Sequence, residues 1–179
     1  ADLALAQEVL GLHTAPAPAG AREVYREILF HGPRFQLIKT LAGLDGRGVL
    51  AEVAPSTPGD FGPEGSPWIF DPGLLDVAAQ LALVWSAETR GGPAIPNSFD
   101  RLVRLGEGVP RYMVMRLREG VTAPQVLSDV ALADEEGTPL LLIEGLECTS
   151  DTGLKRFSGW AGEIRDDVTS KPRSTQAAE

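Results

Sequence analysis

The chain has 179 residues, 43% of them hydrophobic and 23% charged, with a formal net charge of −9, which suits one globular domain with a real core. That acidic balance excludes a nucleic-acid-binding surface, because neutralising phosphates takes clustered Lys and Arg. One cysteine and two histidines exclude an internal disulfide and Cys-cluster metal sites and argue against a His-based site, so no metal is expected.

The first segment, "ADLALAQEVLGL", has apolar residues at helical spacing and passes into "HTAPAPAG", a tract that cannot hold a helix and reads as a linker. From Arg22 the chain becomes structured. "VYREILF" suits a short helix or a strand, and "RFQLIKTLAGLDGRGVLAEVAP" predicts two strands around an Asp45-Gly46 turn. The loop "STPGDFGPEGSP" leads to "WIFDPGLLDVAAQLALVW", the most apolar stretch of the chain. Asp71 is placed to cap its free N–H groups, Pro72 suits the first helical position, and Gly91-Gly92-Pro93 ends the helix.

Beyond this helix the text reads as β. "SFDRLVRLGEG" and "RYMVMRLREG" predict strands, and "QVLSDVALADEEGTPLLLIEGLECTS" predicts a long hairpin around residues 134–137. Cys148, inside that alternating run, is expected as a packed core thiol. After Ser150 periodicity is lost, and the polar ending "RDDVTSKPRSTQAAE" predicts a disordered tail. No apolar run reaches the roughly 20 residues that span a bilayer, and no secretory signal opens the sequence. The expectation is a cytoplasmic protein, or a piece of one, with no membrane or nucleic-acid partner.

Three segments follow: an N-terminal segment and linker over 1–21, a domain over 22–150 and a tail over 151–179. The domain holds about six strands and one long helix that is apolar nearly all round, and such a helix must be wrapped on most sides. The α+β hotdog fold does this with one antiparallel sheet wrapped around a central helix.

Asp76 and Gln80 are the polar side chains between Pro72 and Trp85. Four positions apart, they share one helix face. Leu75, Ala78, Ala79 and Ala82 are expected to point elsewhere and to offer packing alone. An ionised carboxylate left unpaired in such surroundings costs several kcal/mol, so a carboxyl there tends to keep its proton. A carboxylic acid held protonated near neutral pH can serve as a proton donor, with Gln80 orienting it or binding a substrate oxygen. A second reading stands beside this one: in the first turn, Asp76 favours the helix dipole and bonds a backbone N–H. Composition does not decide between them.

Three stretches carry a resemblance. "DPGLLDVAAQ" resembles the Asp-x3-Gln helix motif in the second half of polyketide synthase dehydratase domains, "LFHGPRFQLI" is similar to their "YGPxFQ" segment, and "IPNSFDRLVRL" to their "LPFSxxxVRL" strand entry. They occur in the family's order over roughly residues 22–150. His31, where many members have Tyr, resembles the form found in iterative polyketide and polyunsaturated fatty acid synthases. The resemblance implies one half, the second or C-terminal one, of a double hotdog. It implies loss of water from a β-hydroxyacyl chain, carried on the phosphopantetheine of an acyl carrier protein, to give an α,β-enoyl thioester. Asp76 matches the family's general acid and Gln80 its partner. His31, Gly32 and Pro33 are then expected to line the substrate pocket, or else to form a turn in which Gly supplies an unusual backbone angle. No metal or redox cofactor is implied, since both steps are proton transfers.

The departure lies in the base. The family's His sits in His-x3-Gly-x4-Pro, but four residues after His13 stands Ala17, and four after His31 stands Phe35. The first hotdog half is therefore expected from a complementary half or from a second copy. A non-catalytic pseudo-dehydratase that binds acyl chains or organises the megasynthase is the alternative, and a hotdog thioesterase a further one. Trp68, Trp85, Phe61 and Phe70 are expected to pack the core or to rim an acyl tunnel. Arg101, Arg104, Arg111, Arg116 and Arg118 would either meet an acidic carrier protein or solvate exposed strands.

Overall fold

The computed structural model describes residues 1–17, 20–57, 59, 61–62 and 68–154. The expected disordered tail and part of the 55–67 loop lie outside these residues.

A helix α1 (Asp2–Leu10) and a short helix α2 (Ala21–Glu27) precede the hairpin β1 (Ile38–Asp45) and β2 (Gly48–Val53). The long helix α3 (Pro72–Arg90) follows, then β3 (Ala94–Ser98), β4 (Arg101–Arg104), β5 (Tyr112–Leu117), β6 (Gln125–Ala133) and β7 (Pro139–Ser150). The seven strands form one sheet in the order β1-β2-β5-β6-β7-β3, with β4 pairing β7 beside β3. Every pairing is antiparallel. This is the hotdog fold, a single antiparallel sheet around one helix.

Local chemistry accounts for the elements. Asp71 accepts from the N–H groups of Gly73 and Leu74, Pro72 fills the first position of α3, and Gly91 ends it at φ 71°, in the left-handed region that glycine adopts freely. The β1–β2 turn is fixed by Asp45, whose carboxylate accepts the Arg47 N–H at 2.8 Å. At the β6–β7 turn Asp134 does the same for Glu136 and Thr138. The "VYREILF" stretch divides, its first four residues completing α2 and its last three leaving the helix.

One strand is unexpected. The expected "SFDRLVRLGEG" strand is β4, and Ala94–Ser98 forms β3 ahead of it, with Pro96 inside a strand that ends the sheet, a position where proline is tolerated.

Both faces of the sheet are covered, which explains the near-continuous apolar text of β5 to β7. Met113, Met115, Val130, Leu132, Leu141 and Ile143 point to the core around α3. The alternate residues Val114, Ala131 and Leu142 point outward and pack with Ala6 and Val9 of α1. Cys148 is buried in the main core as expected, and burial pushes its thiol up to about 12. Trp85 is buried, its Nε1–H donating to the Asp45 carbonyl at 2.8 Å. Phe61, Trp68 and Phe70 are half-buried.

The arginines expected to face solvent or a carrier protein are paired within the chain. Arg101 bonds Asp2 and Glu144, Arg104 Glu107, Arg111 Glu52, Arg116 Glu8, and Arg118 Asp129. No helix among the described residues is long and apolar enough to cross a membrane.

Candidate active site

Helix α3 is not enclosed all round. Pro72, Leu75, Asp76 and Ala79, spaced along one helical stripe, remain half-exposed, while Val77, Ala78, Gln80 and the run from Leu81 to Ser86 are buried. The stripe opens onto a cleft of about 390 Å³. Its polar wall is His31, Asp76 and Gln80, and its apolar wall includes Phe35, Ala79, Leu83 and Pro96.

This corrects two expectations. The Asp76 side chain keeps 32% of its exposure, so it faces a cleft instead of the core. Ala79 lies on that same cleft, since it follows Asp76 by three positions on one helix face. Capping of the helix falls to Asp71, and the first turn of α3 contains no other acidic residue. Asp76 stands in the second turn, beyond the free N–H groups.

Asp76 Oδ2 has two side-chain neighbours, one of them a hydrogen-bond donor. Gln80 Nε2 donates to it at 2.7 Å, and His31 Nε2 lies 3.3 Å away. Gln80 is 1% exposed, and every polar atom of its amide is used. Its Nε2 also donates to the Phe35 carbonyl at 2.9 Å, and its Oε1 accepts the Tyr25 hydroxyl at 2.8 Å. The Tyr25 oxygen in turn accepts the Ile38 N–H at 3.1 Å. The amide can therefore point only one way: its oxygen meets a donor and its nitrogen meets two acceptors. Burial, with a smaller contribution from the Asp76 charge, pushes the Tyr25 phenol up to about 12, so it keeps the proton it donates.

The loop "HGPRFQ" supplies the remaining contacts. Gln36 Nε2 donates to the His31 carbonyl at 2.9 Å, closing the loop around a single 3-10 turn, Pro33–Phe35. The His31 ring stacks on Phe30 at 4.4 Å and 20°. Burial pushes the His31 imidazole below 6.5, against the opposing pull of the Asp76 charge. Gly32 lines the cleft in ordinary extended backbone, φ −68°, and a Cβ added there would meet nothing within 4 Å. The unusual backbone angle expected of it is absent. Pro33 is exposed and opens the 3-10 turn without lining the cleft.

Of the expected site residues, the structure brings together His31, Gly32, Asp76 and Gln80. Tyr25 and Phe35 join them without having been expected. Tyr25 gave no chemical signal in sequence, since it sits beside Val24 on the apolar face of a short helix. His13 is absent from the cleft lining. Among the described residues no group of three or more His, Cys, Asp or Glu side chains is placed to hold a metal ion.

A family model described as the polyketide synthase dehydratase N-terminal domain matches residues 7–155. The chain belongs to the polyketide synthase dehydratase family.

Solved structures of polyketide synthase dehydratases share its fold. The PpsC dehydratase domain of Mycobacterium tuberculosis, in complex with C12:1-CoA, is 21% identical with a TM-score of 0.57, over 78% of this chain and 55% of that one. The dehydratase domain of RzxB from Pseudomonas fluorescens is 20% identical with a TM-score of 0.58, over 77% and 54%. The dehydratase domain from the CurK module of the curacin polyketide synthase is 23% identical with a TM-score of 0.57, over 85% and 52%. The chain thus spans about half the length of the dehydratase structures it matches. No curated protein matches it.

Proposed function

We propose that this chain is the acid-bearing, second hotdog half of a dehydratase that acts on β-hydroxyacyl chains carried by an acyl carrier protein. The observation that carries the reading is the position of Asp76: a carboxyl on a cleft, with Oδ2 accepting from Gln80 and lying 3.3 Å from His31 Nε2, and with Oδ1 meeting no donor among the described residues.

Asp76 gives its proton to the β-hydroxyl while a base takes the α-proton. The Cα–H electron pair becomes the second bond of Cα=Cβ, the Cβ–O bond breaks, and water leaves. Gln80 keeps the acid in register, an arrangement fixed before substrate arrives. Both steps are proton transfers and ask for neither a metal nor a redox cofactor. The base is expected from a complementary half, because neither His13 nor His31 stands in His-x3-Gly-x4-Pro.

The matched family description names the N-terminal domain. The second-half reading rests instead on the motifs "HGPRFQ" and "DPGLLDVAAQ" and on the missing base motif. The open edge of the sheet supports a partner half or a second copy. Strand β3 ends the sheet with Ile95 to Ser98 exposed, and its Pro96 lines the cleft, so a partner seated there reaches the site. His31 in place of Tyr favours an iterative polyketide or polyunsaturated fatty acid synthase as the parent.

A second reading, a non-catalytic acyl-binding module, is favoured by one observation: the imidazole of this cleft, His31, is already engaged with Asp76. The deciding experiment joins the chain to a first half that carries the His motif and offers β-hydroxyacyl carrier protein. Asp76→Asn should lower enoyl formation by about 10²–10⁴-fold with the fold intact. Equal rates for Asp and Asn would sink the acid assignment, and acyl binding without dehydration would favour the second reading. Release of free acid would instead mark a thioesterase.

A further inference from the structure

His31 raises a question that the acid role of Asp76 leaves open. Its Nε2 lies 3.3 Å from Asp76 Oδ2, while its Nδ1 is buried with no hydrogen-bond partner among the described residues. Three protonation forms compete. The Nδ1–H tautomer buries a donor with no acceptor and aims a bare Nε2 at the carboxyl oxygen. The imidazolium buries the same unpaired N–H. The neutral Nε2–H form gives the carboxylate a donor without burying that unpaired N–H, and it leaves unmet an acceptor lone pair, the milder kind of orphan. The titratable group that faces the ring is Asp76 on α3. Tyr25 on α2 connects through Gln80, and Phe30 and Phe35 are apolar neighbours. Burial also drives the ring towards its neutral form.

We propose that His31 is a positioning residue: as a neutral Nε2–H donor it fixes Asp76 Oδ2 and leaves Oδ1 as the oxygen that exchanges a proton with the ligand. Gln80 donates to the same Oδ2, so the acid form carries its proton on Oδ1, towards the cleft. The imidazole is then not the base of the reaction, even though it stands within reach of the acid. This inference rests on the reading of Asp76 as an acid and deepens it.

The test is spectroscopic first, so it does not depend on turnover. A long-range ¹H–¹⁵N spectrum of the 179-residue chain at neutral pH should show His31 with a bare Nδ1 and a protonated Nε2. In Asp76→Ala the Nε2 proton should exchange with water at least about tenfold faster, because a hydrogen bond to a charged group is lost. A Nδ1–H tautomer, an imidazolium at neutral pH, or unchanged exchange in Asp76→Ala would overturn the proposal.

A second arm uses the completed dehydratase. His31→Gln, which keeps an N–H near the Nε2 position but has no basicity, should retain kcat within about threefold, whereas His31→Phe should lower kcat roughly 10–100-fold with KM little changed. Equal losses in both variants would make His31 a base and contradict the assignment. An inactive wild type would count against the proposed function, and the tautomer would still decide the role of His31.

Discussion

Two carboxylates, one at the cap of α3 and one in its second turn, meet opposite surroundings. At the cap, Asp71 accepts from the N–H groups of Gly73, Leu74 and Ser56 and from the Ser56 hydroxyl, so both its oxygens are spent on structure. At the seam between α3 and the loop of His31, the side chains that reach Asp76 among the described residues, Gln80 and His31, meet it at Oδ2 alone. The cap ties the 54–57 segment to the start of α3. The seam leaves one Asp76 oxygen towards the cleft, the arrangement that the proposed acid role asks for.

Gln80 should break this contrast most severely, because it serves both stability and site. Gln80→Met leaves the Tyr25 hydroxyl and the Phe35 carbonyl without their buried partner and should cost about 2–4 kcal/mol in chemical denaturation. In the completed dehydratase it should also lower kcat. Asp71→Ala comes next, at about 2 kcal/mol from lost capping and unmet Ser56, with dehydration unchanged within about threefold at a temperature where the variant is folded. Loss of activity beyond that factor would erase the distinction between cap and seam. Tyr25→Phe should be milder, at about 1 kcal/mol, since the ring is kept while the Ile38 N–H loses its acceptor.

The smallest effect is one of pH. His31 titrates below 6.5 in the fold and near that value when unfolded, so acidification loads the unfolded chain with a proton first. Stability should be whole above about pH 6.5 and fall as pH drops below it, until the folded imidazole also protonates. Asp45 and Asp2, held low by Arg47 and Arg101, titrate below 3.8 and leave that window clear. Urea melts of wild type and His31→Gln between pH 7 and 5 should show the slope in the wild type and a shallower one in the variant. Parallel slopes would place the imidazole in a more open setting.

Much of this was legible in the sequence, for local reasons. The cap, the N1 proline and the glycine stop of α3 are short-range chemistry, as are the Asp45 and Asp134 turns. The hotdog layout followed from one apolar helix set among strands. Other features depend on long-range contacts. "VYREILF" has apolar spacing compatible with helix or strand, and its packing against β1 decides for α2. Strand β3, with a proline inside it, depends on pairing with a distant β7. The half-exposure of Asp76 was hidden because apolar neighbours along a sequence do not tell which stripe of a helix the sheet leaves open. Tyr25 and the contact between His31 and Asp76 were invisible for the same reason, since both come from the fold laying α2 and the following loop across α3.

The proposed function makes Asp76 a positioned acid whose base comes from a complementary half. The most direct measurement is enoyl formation from β-hydroxyacyl carrier protein by the chain alone and by the chain joined to a half bearing His-x3-Gly-x4-Pro. Product above background is expected from the joined protein alone. Turnover by the isolated chain at the rate of the joined one would contradict it.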